Sequence, residues 1–347
     1  MFQYILLHCI KALKAERSLA NIFYLLTGKK STQTIQDSHL YNLTDYFGVY
    51  RSLKRVDFNN AIDNLVQKSY IVYNKQGFAQ LSDAGKYHLT VQAQQYQDLH
   101  FRGMVFERMA PPFLATLILL IQTATNIFVN NYRFIPVIDN SSAQSNVKQF
   151  LKQKDLDISI LLRDLYGDLY KCFTVNRLPQ SSIEIFTDHI TSAKEIGLSQ
   201  HQLASKYIMT KEDVHCYLMN VVHLMLDESK HPDKYNVFPY IINQQSDLPV
   251  TESALATYKL YSRGHTIGEI AAYRSLKEST IQDHIIEIAY AEKVEWTRHM
   301  GTEIYNTISE VMEKTNTKQL KILKSLLPEH ISYFQIKLVI ALWHKPL

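Results

Sequence analysis

Arg51, Lys54 and Arg55 stand just before a segment in which Asn59, Asn60 and Asn64 fall on the polar side of a helical repeat. Lys75 and Gln76 follow in Asn74-Lys75-Gln76-Gly77, a predicted turn. Guanidinium and ammonium groups pair with phosphate oxygens, and amide side chains offer a donor and an acceptor to base edges. Arg51, Lys54, Arg55, Asn59, Asn60, Lys75 and Gln76 are therefore candidate nucleic-acid contacts. An ordinary solvated basic face would carry the same residue types, so that reading stays open beside the first.

A second constellation is "TIGEIAAYRSLKESTIQDHIIEI", Thr266 to Ile288, with the spacing of a helix-turn-helix. Thr266 and Glu269 form a capping box. Ile267, Ile270 and Ala271 make one apolar face, Ile281, Ile285 and Ile288 another, and Leu276 plugs the turn, where Ser275 stands at a position many such turns give to glycine. Glu278, Ser279, Gln282, Asp283 and Ile286 are expected to face outward. Ser279 and Gln282 suit base edges, but Glu278, Asp283 and Glu287 oppose phosphate, and only Lys277 at the helix start attracts it. The expected role of this surface is contact with a protein partner, with Ile286 as an exposed apolar contact.

Catalytic signatures are missing from the sequence. No G-x-x-x-x-G-K-[ST] loop is present: "LLTGKKS" has Phe23 where the first glycine would stand. Neither HExxH nor G-x-S-x-G occurs. His215 and His223 share a helical face without cysteine or carboxylate at ligand spacing, so they read as core or surface residues. Cys9, Cys172 and Cys216 are far apart and form no CxxC pair, which points to a reducing compartment. No enzyme activity, metal or cofactor is expected.

The elements that must position these residues are helices. Only 10 glycines and 9 prolines occur in 347 residues, and 46% of residues are hydrophobic, which suits a soluble, helix-rich chain of two or three domains. The charge is uneven. Residues 1–90 hold 11 Lys+Arg against 6 Asp+Glu, whereas 91–250 hold 14 against 16. Long-range attraction to nucleic acid therefore favours the first ninety residues. Residues 1–27 are expected to be helical up to Gly28. Two short helices, a helix from Val56 and a hairpin around Asn74–Gly77 follow, which is the order of a winged helix. "PPFLATLILLIQTATNIFVNN", from Pro111, reads as a buried core helix rather than a membrane span. "DNSSAQSN", Asp139 to Asn146, reads as a linker, and the proline-bearing stretch 229–251 as a connector. No signal peptide is read at the N-terminus, because Lys11, Lys14 and Arg17 follow its apolar residues instead of preceding them.

A second hairpin, "LSQHQLASKYIMTKEDVHCYLMNVV", lies on the first without a gap. Leu203 falls on Ile270, Ala204 on Ala271, Met209 on Leu276, Val214 on Ile281 and Leu218 on Ile285. The expected fold is mainly α. It has a winged-helix-like domain with a β-hairpin over 1–98, a central helical domain with a helix-turn-helix-like hairpin over 99–245, and a C-terminal helix-turn-helix domain over 246–347.

The segment "LYSRGHTIGEIAAYRSLKESTIQDHI", with "KQLKILKSLLPEHISYFQIKLVIAL" about thirty residues later, resembles the helicase-associated helix-turn-helix domain of some bacterial RecQ-type helicases. The residues that carry it include Leu260, Gly264, Ile267, Ile270, Ala271, Leu276, Ser279, Thr280, Ile281, His284 and Ile285. In the tail they include Leu320, Leu327, Pro328, Glu329, Tyr333 and Ile336. The same domain ends the YpbB family, which the order and length of the upstream helices also resemble. The hairpin alone is similar to the LuxR-type motif as well. The resemblance implies a non-enzymatic accessory protein of a RecQ-type DNA helicase, acting in DNA repair or recombination by protein docking and DNA binding. It implies no catalytic residues. The expected location is cytoplasmic, with association with the nucleoid left open. The alternatives are a transcriptional regulator that binds a duplex site, and a pure protein scaffold.

Overall fold

In the computed structural model the apolar and polar periodicities resolve into helices joined by short turns. The structure describes residues 1–154, 157–176, 178–241, 250–291, 294–315 and 320–343. In chain order these form α1 (Phe2–Leu13), α2 (Leu19–Leu26), α3 (Thr32–Leu40), α4 (Arg55–Gln67), β1 (Ile71–Tyr73), β2 (Ala79–Leu81) and α5 (Asp83–Gln95). Then come α6 (Gly103–Phe106), α7 (Ala110–Phe128), α8 (Ser141–Lys154), α9 (Ile158–Val175), α10 (Gln180–His189), α11 (Gln200–Lys206) and α12 (Lys211–Glu228). The last are α13 (Glu252–Tyr261), α14 (Ile267–Arg274), α15 (Glu278–Ala291), α16 (Thr302–Thr315), α17 (Leu320–Leu326) and α18 (Tyr333–Trp343).

These elements form two units. One contains Met1–Gly28 and Asp45–Gln245, the other Lys29–Thr44 and Ser246–Leu347. This differs from the expected division at 98 and 245 in two ways. The elements before residue 98 share one core with the central helices, because α1 packs on α12 as well as on α2, α5 and β2. The segment 29–44 leaves that core, and its helix α3 packs on α15 and α18. The helices that precede the hairpin in the first unit are therefore α1, α2 and α4.

In the first unit the chain breaks between α1 and α2 at Lys14 and Ala15, both left-handed, where one helix up to Gly28 was expected. The hairpin pairs Ile71 with Leu81 and Tyr73 with Ala79. Asn74 shapes its tip: the side-chain oxygen accepts from the backbone of Gln76 and Phe78 at 3.0 and 2.9 Å. α5 approaches so closely that a Cβ on Gly85 would lie 2.0 Å from the carbonyl oxygen of Tyr70.

α7 is the expected core helix. Among the described residues it is the one helix long and apolar enough to cross a membrane, and half of its apolar window is buried against its own unit. The expected linker Asp139–Asn146 is instead the start of α8. Asn140 accepts from the Ala143 N–H at 3.0 Å, and Ala143, Val147 and Phe150 form a buried stripe against α7. Its asparagine and serines are helix-start residues as well as loop residues, and that ambiguity misled the sequence reading. The connector after α12 is packed as far as Ile241, where the buried Asp168 carboxylate accepts from the backbone of Asn236, Val237 and Phe238 at 2.9, 2.8 and 3.1 Å. The rest of it, 242–249, lies outside the described residues.

In the second unit α15 is the central rod. α13, α14, α18 and α3 all pack on it. Its core includes Leu40, Ile270, Ile281, Ile285, Ile288, Ile308, Ile336 and Val339.

Candidate nucleic-acid interface

The helix-turn-helix is α14 and α15. The Thr266 hydroxyl accepts from the Glu269 N–H at 3.3 Å, and the Glu269 carboxylate accepts from the Thr266 N–H at 2.8 Å, so the capping box forms as read. Ser275 takes the left-handed turn position, φ 53°, and Leu276 donates to the Ala271 carbonyl at 3.0 Å. The turn needs one residue at positive φ, which serine supplies at some cost where glycine would be free. Ile281, Ile285 and Ile288 are fully buried, as the spacing requires.

The outer surface of α15 differs from the expected one. Ile286 is not an exposed contact: it is 1% exposed and belongs to the core. It lies one turn before Tyr290, whose ring stacks on His39 of α3 at 4.3 Å. α3, from more than two hundred residues earlier, packs on α15, and its Leu40 joins the same core as Ile286. Glu287 is also buried, and its carboxylate accepts from the backbone N–H and hydroxyl of Thr251, capping α13. Asp283 is half-buried and pairs with Lys337 of α18 at 3.2 Å. Two of the three acids expected to repel phosphate are thus satisfied inside the unit. Lys277, Glu278 and Ser279 remain exposed, with Gln282 partly so.

Behind this end, Arg274 donates to the Ser253 carbonyl and hydroxyl at 2.7 and 3.1 Å and also to the Thr257 hydroxyl. The Thr257 hydroxyl meets His284 Nδ1 at 2.8 Å. Burial, aided by the Arg274 charge, holds His284 below the ordinary histidine value, so the imidazole there is neutral at pH 7. This network ties α14 and α15 to α13.

The seven candidate contacts of the first unit have different surroundings. Arg51 is half-exposed and pairs with the buried Glu107 carboxylate at 3.2 Å. Arg55 lies over the Phe23 ring, 3.9 Å from its centroid. Lys54 and Asn59 are exposed on the start of α4. Asn60 lines a groove shared with the turn between α11 and α12. Lys75 and Gln76 are exposed at the hairpin tip. The sequence cluster at 51–55 is therefore partly structural, because Arg51 and Arg55 each serve a neighbour in the fold.

The second hairpin, α11 and α12, has the backbone of the first. Ser199 and Gln202 form a capping box, Ile208 takes the left-handed position with φ 52°, and Met209 donates to the Ala204 carbonyl at 3.0 Å. Leu203, Val214 and Leu218 are as buried as Ile270, Ile281 and Ile285. Its second helix is an internal element. Asp213 receives the Met1 ammonium and the Phe2 N–H, each at 2.8 Å. His215 stacks on Tyr50 at 3.8 Å and meets the Val49 carbonyl at 3.0 Å. His223 accepts from the Arg102 N–H at 3.1 Å, and burial pushes it down to about 3. Cys9, Cys172 and Cys216 are buried free thiols. Among the described residues, no group of three or more His, Cys, Asp or Glu could hold a metal ion.

Sequence reasoning missed Thr251, Lys337 and α3 as determinants of the α15 surface. Each comes from a distant segment, and none carries a local signal beyond the capping threonine. A family model described as a helix-turn-helix domain matches residues 253–340, the segment that folds here as α13 to α18. No solved structure matches the chain. Over 352 aligned positions the chain is 26% identical to protein YpbB of Bacillus subtilis (strain 168), spanning 98% of this chain and 97% of that protein.

Proposed function

We propose that this is a non-enzymatic DNA-binding accessory protein of a RecQ-type helicase, and that it approaches DNA with the exposed first turns of α15. One observation carries the DNA reading. Asp283 and Glu287 are paired or buried within the unit, so the projecting end presents Lys277, Ser279 and Gln282 with Glu278 as its one exposed acid. Helix-turn-helix proteins read base edges with the N-terminal residues of the second helix. The match of residues 253–340 to a helix-turn-helix domain supports the same use. The reading of this surface as a protein contact loses Ile286, which is buried, and part of its acidity, because Glu287 is buried and Asp283 is paired, while Glu278 stays exposed.

In this reading Lys54, Asn59, Lys75 and Gln76 add a second, weaker contact from the first unit, as the recognition helix and wing of a winged helix would. The helicase partner rests on the resemblance of the last hundred residues to a helicase-associated domain. Two linked contacts would hold an enzyme near its substrate through effective concentration.

Fluorescence anisotropy with a labelled duplex and a forked DNA, across a salt series, tests the DNA contact. Lys277→Ala with Gln282→Ala is expected to weaken binding about tenfold or more, and Lys54→Ala with Lys75→Ala to lower the salt slope by one to two charges. Unchanged binding by the first pair would remove α15 from the interface. An unwinding assay with a RecQ-type helicase tests the rest: if the protein binds DNA but changes neither unwinding nor helicase retention on the fork, the accessory role fails and a duplex-binding regulator remains.

A further inference from the structure

Ile208 is out of place on elementary grounds. It sits in the turn between α11 and α12 with φ 52°, and it is 94% exposed. Among the described residues it is the one β-branched side chain at positive φ. A branched Cβ crowds the backbone there, and glycine or asparagine relieves the strain. The matching turn of the other hairpin uses Ser275. Nothing within the fold rewards an isoleucine at this point, because water surrounds it.

Ile208 stands at the edge of a groove of about 760 Å³ in the first unit. One wall is α4, with Asp57, Asn60, Asn64 and Lys68, and the other is the α11–α12 turn, with Met209 and Glu212. Phe2 and Leu6 of α1 also line it. Asn60 and Asn64 are both exposed and lie one helical turn apart, about 6 Å along the axis. Alternate residues of an extended chain repeat at about 6.6 Å. An asparagine amide can give and take hydrogen bonds, which matches a peptide group, and Asn64 keeps its NH2 and one oxygen lone pair beside the bond its Oδ1 accepts from Gln3 Nε2 at 3.4 Å. Asp57, Glu212 and Asp213 outnumber Lys68 among the charged residues of the lining, and Asp213 is already engaged by the Met1 ammonium. The surplus acid disfavours a polyanion and favours a cation.

We propose that this groove docks an extended segment of a protein partner that carries a large apolar residue next to a lysine or arginine. Ile208 and Met209 close over the apolar residue, Asn60 and Asn64 hold alternate peptide groups, and Asp57 and Glu212 receive the basic side chain. This site is independent of the DNA contact at α15.

The test is a selection of random heptapeptides displayed on phage against the immobilised full-length protein, followed by fluorescence polarisation with the enriched peptides. A consensus of one large apolar residue beside Lys or Arg is expected. Ile208→Gly should weaken these peptides about tenfold or more, while unfolding at higher denaturant than the parent because the strain is gone. Asn60→Ala with Asn64→Ala should weaken them similarly. DNA affinity should be unchanged in Ile208→Gly, which separates this site from α15. An acidic consensus, no consensus, or equal binding by the variants would each overturn the proposal.

Discussion

Removing three carbons from Leu40 should destabilise a domain whose other parts begin more than two hundred residues later. Leu40 is 7% exposed and belongs to the core around α15, and its neighbour His39 stacks on Tyr290. A buried Leu→Ala change costs about 2–5 kcal/mol, part transfer and part cavity. The rim position of Leu40 argues for the lower half, about 3 kcal/mol. With a urea m-value of about 1.5 kcal/mol/M, the midpoint should fall by about 2 M. The assay is built into the chain, since both tryptophans, Trp296 and Trp343, lie in the second unit. Trp296 stacks on Tyr305 at 4.5 Å, so its emission reports the packing of that unit. Tryptophan emission, excited at the red edge where tyrosine does not absorb, therefore follows the helix-turn-helix unit alone. An unchanged tryptophan midpoint in Leu40→Ala would show that α3 is not part of this core, and the account of the buried Ile286 would fall with it.

Two further outcomes follow from buried groups. His223 is 1% exposed and held down to about 3, first by burial and then by the nearby His215. Its folded value lies below the unfolded value of 6.5, so its neutral burial favours the fold at pH 7 and that contribution is lost as pH falls from about 6.5 toward 3. Between pH 6.5 and 5 the loss should be about 2 kcal/mol, and His223→Gln should remove this part of the pH dependence in urea titrations followed by circular dichroism. Gly85→Ala would put a methyl 2.0 Å from the Tyr70 carbonyl, so α5 must shift off the hairpin. A loss of about 3 kcal/mol is expected, with faster proteolysis at Lys75, and wild-type resistance to a limiting protease would contradict that packing.

Periodicity and end signals read well where a segment decides its own conformation. The two hairpins, their capping boxes, the buried isoleucines, the hairpin turn at Asn74–Gly77 and the apolar α7 all depend on residues within about one turn of each other. The same local rules failed where polar residues have two uses. Asp139–Asn146 looked like a linker because helix starts and loops share asparagine and serine. Arg51 and Arg55 looked free because their partners, Glu107 and Phe23, lie in other segments.

The sequence alone determined a helical protein with two helix-turn-helix hairpins, because the 3.6-residue repeat and the caps specify backbone conformation directly. Which side chains of α15 face water was decided only by the tertiary structure. A helix offers its whole circumference to whatever packs on it, and here Thr251, Lys337 and α3 arrive from distant segments to claim Glu287, Asp283 and the face of Ile286 and Tyr290. Charge read along a chain counts every acid equally, whereas a folded surface shows only those that no neighbour has satisfied.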